Sequence, residues 1–175
     1  MRIALIWPTV VALRGGSYAL ALALFLAAAI SDGLDGYLAK RCGWTSDLGR
    51  VLDPLADKLL LVVLFVQCAW LDLVPWWLTA AVVARDVMIG LGALIFRLWF
   101  GALHGRPTVI SKVNTAAQLL YLALVLLGAS IALPPREVLD AAALVTLVTT
   151  LLSGAHYWRI FAARAWLRAA PPAPR

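Results

Sequence analysis

Apolar residues fill six stretches of this chain, at about 2–13, 17–38, 48–71, 75–97, 112–133 and 138–162, and polar residues gather between them. Apolar runs of this length read as helices, and a helix needs about 20 such residues to cross the hydrocarbon of a bilayer. The expected architecture is all-α: a polytopic membrane protein built as a six-transmembrane-helix bundle. The first stretch is short. Arg14 interrupts it and no small-residue cleavage site follows, so it reads as a span beginning almost at Met1 rather than as a signal peptide.

The separators carry turn chemistry. Arg14-Gly15-Gly16 parts the first two stretches, Lys40 to Ser46 the next pair, Asp72 to Pro75 the third and fourth, and Pro134-Pro135-Arg136 the last two. Gly101 to Ser111 forms a longer loop, and Pro75 suits the opening turn of a helix. Trp70, Trp76 and Trp77 cluster at one boundary, as aromatic side chains do at a membrane–water interface. No internal repeat is visible. Residues 1–170 read as a single domain, and 171–175 as a disordered tail.

Composition supports the membrane reading. Of 175 residues, 63% are hydrophobic and 14% charged, against about 25% charged in ordinary soluble domains. A net charge of +6 invites a nucleic-acid reading, but the basic residues are spread along the chain between apolar spans, so no nucleic-acid partner is expected. Arg2, Lys40, Arg41, Arg50, Lys58, Arg97, Arg106, Lys112, Arg159, Arg164, Arg168 and Arg175 would share one side of the bundle. Arg14 and Arg136 remain on the other side, with Asp72, Glu137 and Asp140, and Arg85 lies within a span. Positive charge marks the cytoplasmic side, so both termini should face the cytoplasm, or the matrix in a mitochondrial inner membrane. Cys42 and Cys68 lie at opposite ends of one span, too far apart to bridge.

Within this apolar chain, Asp32, Asp35, Asp47, Asp53 and Asp57 crowd into one short interval. A carboxylate near hydrocarbon costs about 2.5 kcal/mol or more at a helix centre, so such acids are functional candidates. Asp32 and Asp35 are three apart and Asp53 and Asp57 four apart, spacings that put each pair on one helix face. Two helices each presenting two carboxylates make a nest of oxygen donors for hard divalent cations. Asp47 falls outside this pattern and suits the start of the third helix, where an acid complements the macrodipole. Solvated helix-end acids held by Lys40, Arg41, Arg50 and Lys58 are the bland alternative, but they would have no reason to keep this register.

Residues 32–57 read Asp-Gly-Leu-Asp-Gly-Tyr-Leu-Ala-Lys, eight residues, then Gly-Arg-Val-Leu-Asp-Pro-Leu-Ala-Asp. This resembles the CDP-alcohol phosphatidyltransferase signature D-x-x-D-G-x-x-A-R-x(8)-G-x-x-x-D-x-x-x-D, with Lys40 in place of the family's Arg. The resemblance implies a metal-dependent phosphotransferase with two divalent cations, Mg2+ or Mn2+, at the cytoplasmic ends of helices 2 and 3. Asp32, Asp35, Asp53 and Asp57 would ligate them, and Asp57 would also be catalytic, activating the acceptor hydroxyl. The CDP-lipid would be held by Asp32, Gly36, Ala39, Lys40 and Gly49. Gly36, Ala39 and Gly49 lack bulk, which lets a nucleotide approach the helix backbones. Lys40 offers a cation without a guanidinium's bidentate fork. Pro54, lacking an N–H, is placed to bend its helix. A homodimer is also implied. Relatives usually carry P-N-x-x-T-x-x-R ahead of the first span, and here Met1-Arg2-Ile3 stands as if starting at that Arg.

Two further segments bear on the acceptor. Ala84-Arg85-Asp86-Val87 puts an ion-pair candidate inside the fourth stretch, and Ile110 to Gln118 opens the fifth with Ser111, Thr115 and Gln118 at helical spacing. They are similar to the R-D and S-K-x-N-T-x-x-Q of the CMP-forming cardiolipin synthase branch. That similarity implies transfer of the phosphatidyl group from CDP-diacylglycerol to phosphatidylglycerol, with release of CMP. Arg85, Arg106, Ser111, Lys112, Asn114 and Gln118 are the acceptor-lipid candidates. Polar residues can equally serve as glue between helices. His104 and His156 read as surface or interfacial residues, and Arg159, Arg164 and Arg168 as a basic tail suited to anionic headgroups.

Two rival readings remain. Phosphatidylglycerophosphate synthase keeps the chemistry but uses glycerol 3-phosphate as acceptor, and an inositol compound would be a variant of the same kind. A cation transporter would use the acids as an ion path, but such sites lie near the midplane of repeated halves.

Overall fold

The computed structural model describes the backbone of residues 2–42, 47–100 and 108–169, and the side chains of residues 4–31, 58–92, 94–95 and 108–160. Among these residues there are six helices and no strand: α1 (Arg2–Arg14), α2 (Tyr18–Cys42), α3 (Asp47–Trp70), α4 (Trp76–Phe100), α5 (Val109–Ile131) and α6 (Arg136–Ala169). Each coincides with one apolar stretch. The last runs beyond the apolar pattern, through the basic tail, because nothing between Ile160 and Ala169 breaks a helix.

Helix ends follow local chemistry. Thr108 caps α5, its hydroxyl accepting the backbone N–H of Ser111 at 3.3 Å. Pro75 and Pro135 stand just ahead of α4 and α6, where a missing N–H costs nothing, and their carbonyls accept the first helical N–H groups. Asp47 is the first residue of α3, as its position in the sequence suggests. After α3, Asp72 turns left-handed (φ 56°), and Leu73 N–H closes on the Cys68 carbonyl at 2.9 Å. Pro8 sits inside α1, and helix α3 continues through Pro54.

The helices pack as a closed ring in the order α1, α2, α5, α6, α4, α3 and back to α1, with α3 and α5 also touching across it. Leu13, Phe25, Leu64, Phe65, Leu78, Val82, Leu122 and Leu126 fill the interior, and the rings of Phe65 and Tyr121 stack at 6.1 Å.

Polarity is inverted relative to a soluble bundle. Thr9, Gln67, Thr79, Arg85, Asp86, Asn114, Gln118, Thr146, Thr150 and Ser153 are buried, while Leu20, Ile30, Leu91, Leu120, Val145, Leu151 and Leu152 are exposed. Lipid solvates aliphatic side chains as well as a protein core does, so polar groups turn inward instead. Among the described residues, Val109–Ile131 and Arg136–Ile160 are long and apolar enough to cross a membrane. Six spans are expected from sequence; among the described residues the apolar parts of α2 and α3 are Tyr18–Ser31 and Lys58–Trp70, and α1 has 13 residues, about 20 Å of helix. Trp70, Trp76 and Trp77 are exposed around the α3–α4 turn, with Trp70 edge-on to Trp76 at 6.1 Å.

Candidate functional site

Helical backbone runs through Asp32 and Asp35 in α2 and through Asp53 and Asp57 in α3, so each pair shares one face of its helix. Asp32 and Asp35 lie in the C-terminal half of α2, and Asp53 and Asp57 in the N-terminal half of α3. The side chains of Asp32, Asp35, Gly36, Ala39, Lys40, Gly49, Asp53 and Asp57 lie outside the described residues, as does Arg106 altogether. Four carboxylates supply hard oxygen donors only, the donor set that Mg2+ and Mn2+ take. Among the described residues, no other group of three or more His, Cys, Asp or Glu could hold a metal ion.

One residue after Asp57, a polar network starts and crosses the bundle. Lys58 Nζ donates to Asp86 Oδ1 at 2.6 Å. Arg85 Nη1 donates to the same oxygen at 2.5 Å. Arg85 Nη2 reaches Ser111 Oγ at 2.8 Å and also Ser153 Oγ. Its guanidinium carbon stands 6.0 Å from the centre of the Tyr157 ring, in cation–π range. The network thus ties α3, α4, α5 and α6 together at one point. Arg85 and Asp86 are 4% and 6% exposed in their side chains, and burial on that scale holds only when charges are paired.

One turn further along α5, Asn114 is fully buried. Its Oδ1 accepts the Thr150 hydroxyl at 2.9 Å and lies 3.0 Å from that of Thr149. Gln118 follows a turn later on the same face. Asn114 Nδ2, Gln118 Nε2 and Arg85 Nε are buried without a hydrogen-bond partner among the described residues. Buried donors without partners are uncommon. Ser111 is half-buried, whereas Lys112 is exposed on the first turn of α5.

The structure therefore brings Arg85, Ser111, Asn114 and Gln118 to one interior seam and leaves Lys112 outside it. Sequence reasoning paired Arg85 with Asp86, as the structure shows, and missed Lys58, Thr149, Thr150, Ser153 and Tyr157. A signal existed: Thr146, Thr149, Thr150, Ser153 and Tyr157 recur at helical spacing along an otherwise apolar α6. Cys68 is buried and free, and His156 is half-buried on α6.

Two cavities flank this core. The larger, about 1020 Å³, opens at the turns after α3 and α5, lined by Trp76, Tyr121, Val125, Arg136 and Asp140 among others. It lies at the opposite end of α3 from the acidic motif, so size does not make it the reactive site. A smaller groove of about 460 Å³ runs between α4 and α6, with Arg85 in its wall.

Comparison with known proteins assigns the frame. The family model described as CDP-alcohol phosphatidyltransferase matches residues 1–155. The chain belongs to the CDP-alcohol phosphatidyltransferase family. Its relatives include cardiolipin synthase (CMP-forming) of Homo sapiens, 36% identical over 138 residues, which cover 70% of this chain and 44% of that protein. The probable cardiolipin synthase (CMP-forming) of Drosophila melanogaster is 37% identical over 147 residues, 74% of this chain and 44% of the relative. The CDP-diacylglycerol–glycerol-3-phosphate 3-phosphatidyltransferase of Escherichia coli K12 is 36% identical over 107 residues, 57% of this chain and 56% of the relative. The chain thus spans less than half of the two animal relatives and little more than half of the bacterial transferase.

Proposed function

We propose that this protein is a membrane-embedded, CMP-forming cardiolipin synthase, transferring the phosphatidyl group of CDP-diacylglycerol to phosphatidylglycerol. The observation that carries the acceptor assignment is the meeting of Arg85-Asp86 with Ser111, sealed by the 2.8 Å bond from Arg85. That bond joins the two segments that resemble the cardiolipin branch, which supports reading them as one site. Asn114 supports the same choice, because a neutral amide at the buried end of that seam suits an acceptor without a terminal phosphate. The two animal relatives share this activity in name, which supports the reading without deciding it.

The four aspartates would hold two divalent cations, which neutralise the diphosphate and polarise the phosphorus under attack. Asp57 takes the proton from the free glycerol hydroxyl of phosphatidylglycerol. That hydroxyl oxygen bonds to the phosphatidyl phosphorus, the bond from this phosphorus to the CMP oxygen breaks, and CMP leaves. Gly36, Ala39 and Gly49 give the nucleotide close access to the helices, and Lys40 pairs with its phosphates. Lys58, fixed by Asp86, sets the rotation of α3 beside Asp57. The site faces the cytoplasm or matrix, within a single domain of six membrane helices that works as a homodimer.

Purified protein supplied with CDP-diacylglycerol, Mg2+ or Mn2+, and phosphatidylglycerol should release CMP and form cardiolipin. A chelator should stop the reaction and either ion restore it. Asp57→Asn should lower turnover by about 10²- to 10⁴-fold, the usual worth of a positioned base. Release of CMP with glycerol 3-phosphate alone would transfer the protein to the phosphatidylglycerophosphate synthase reading.

A further inference from the structure

We propose that the cavity at the α3–α4 and α5–α6 turns binds the head group of a zwitterionic phospholipid, its ammonium toward Asp72 and Asp140 and its phosphodiester toward Arg136. This cavity, at the end of α3 away from the acidic motif, holds about 1020 Å³. Part of its wall is apolar and small, with Gly128, Ala129 and Ala143 beside Val125, which leaves width for a glycerol backbone and the start of an acyl chain. Trp76 and Trp77 line it and are exposed, and tryptophan marks the level of lipid head groups. Head groups are therefore its neighbours, and its side chains decide which kind.

Both signs of charge line it. Asp72 comes from the α3–α4 turn, and Arg136 and Asp140 from the start of α6. Residues four apart on a helix stand about 5–6 Å apart, the reach of a head group whose ammonium and phosphate are joined by two carbons. All three side chains are exposed, and none forms an ion pair among the described residues. Two carboxylates against one guanidinium disfavour a purely anionic head group and suit one that brings its own cation. The nearby indole rings attract a cation as well. Tyr121 adds a donor. It is 3% exposed, its ring stacks on Phe65, and its hydroxyl has no hydrogen-bond partner among the described residues. A buried tyrosine hydroxyl usually has one, and a phosphodiester oxygen accepts such a bond. The site shares no residue with the Arg85 network and does not rest on the enzymatic reading.

The test uses the full chain in nanodiscs of equal parts phosphatidylethanolamine and phosphatidylglycerol. Either lipid is added with a diazirine near the start of an acyl chain, and irradiation is followed by peptide mapping. Peptides covering residues 72–77 and 128–144 should be labelled about fivefold more by the phosphatidylethanolamine probe, as much as one exposed ion pair gives. Asp72→Asn combined with Asp140→Asn should abolish that preference. Asparagine tolerates the left-handed backbone at Asp72, so the turn is kept. Tyr121→Phe keeps the ring and should lower phosphatidylethanolamine labelling about threefold, the worth of one hydrogen bond. Equal labelling of the wild type by both probes overturns the proposal, as does a preference that survives the paired asparagine variant or labelling that Tyr121→Phe leaves unchanged. So does efficient disulfide bonding between Leu144→Cys copies in a Cys42→Ser, Cys68→Ala background, which would make a second copy of the chain the occupant. Labelling reads no CMP, so a chain inactive as a transferase would still show this site.

Discussion

Asp86 Oδ1 accepts hydrogen bonds from two cations, Lys58 Nζ at 2.6 Å and Arg85 Nη1 at 2.5 Å, and the two cations respond differently to its loss. Lys58 is 39% exposed and can find water or lipid phosphate, so its share is small. Arg85 is enclosed and would be left as an uncompensated charge. Asp86→Ala should therefore destabilise the fold by about 3 kcal/mol, whereas Arg85→Met with Asp86→Leu should recover most of that loss. Thermal unfolding in detergent separates the two, and equal losses would mean the pair is not the source of the cost. The double variant should be inactive if Arg85 meets the acceptor lipid. Asn114 makes a milder case. Thr149 also reaches the Thr146 carbonyl at 3.0 Å, so its hydroxyl has an alternative within α6. Asn114→Ala should then cost only about 0.6–1.7 kcal/mol, the range of interhelical hydrogen bonds in membranes.

Helix positions were legible in the sequence because apolar length and turn residues both mark them. Pro75, Pro135 and Asp47 sit at helix starts for the reasons their chemistry gives. The acidic register stands in the sequence itself, four carboxylates within one short interval at spacings that put each pair on one helix face. The Arg85–Asp86 pair was legible as neighbours on one helix, but its links to Lys58 and Ser153 were not. Those partners come from other helices, with Arg85 and Ser153 68 residues apart, and nothing local announces which faces meet. Ala132 was illegible in another way: it ends α5 in the left-handed region at φ 57°, where alanine is strained and glycine is usual. An L-residue there costs about 1–2 kcal/mol, against about 0.4–1 kcal/mol for the added freedom of an unfolded glycine. Ala132→Gly should accordingly stabilise the protein by up to about 1 kcal/mol, read as a higher unfolding midpoint in detergent.

At the scale of the whole molecule, the ring order of α1, α2, α5, α6, α4 and α3 fixes which surfaces face lipid, and α1 decides the topology. With 13 residues, about 20 Å, it falls short of a hydrocarbon core of about 30 Å unless the bilayer thins or flanking residues reach out to the interface. Six crossings put Met1 and Arg175 on one side, and five put them on opposite sides. Positive charge at Arg2 and through the tail favours the first arrangement, with only Arg14 and Arg136 across the membrane. Single cysteines settle it in a background of Cys42→Ser and Cys68→Ala. In sealed right-side-out vesicles, Arg136→Cys should react with an impermeant maleimide, while Arg2→Cys and Arg175→Cys should react only after permeabilisation. Reaction of Arg2→Cys without permeabilisation, with Arg175→Cys still protected, would make α1 an interfacial helix. The acidic faces of α2 and α3 would keep their orientation in that case, because the charge bias that sets it lies beyond α1.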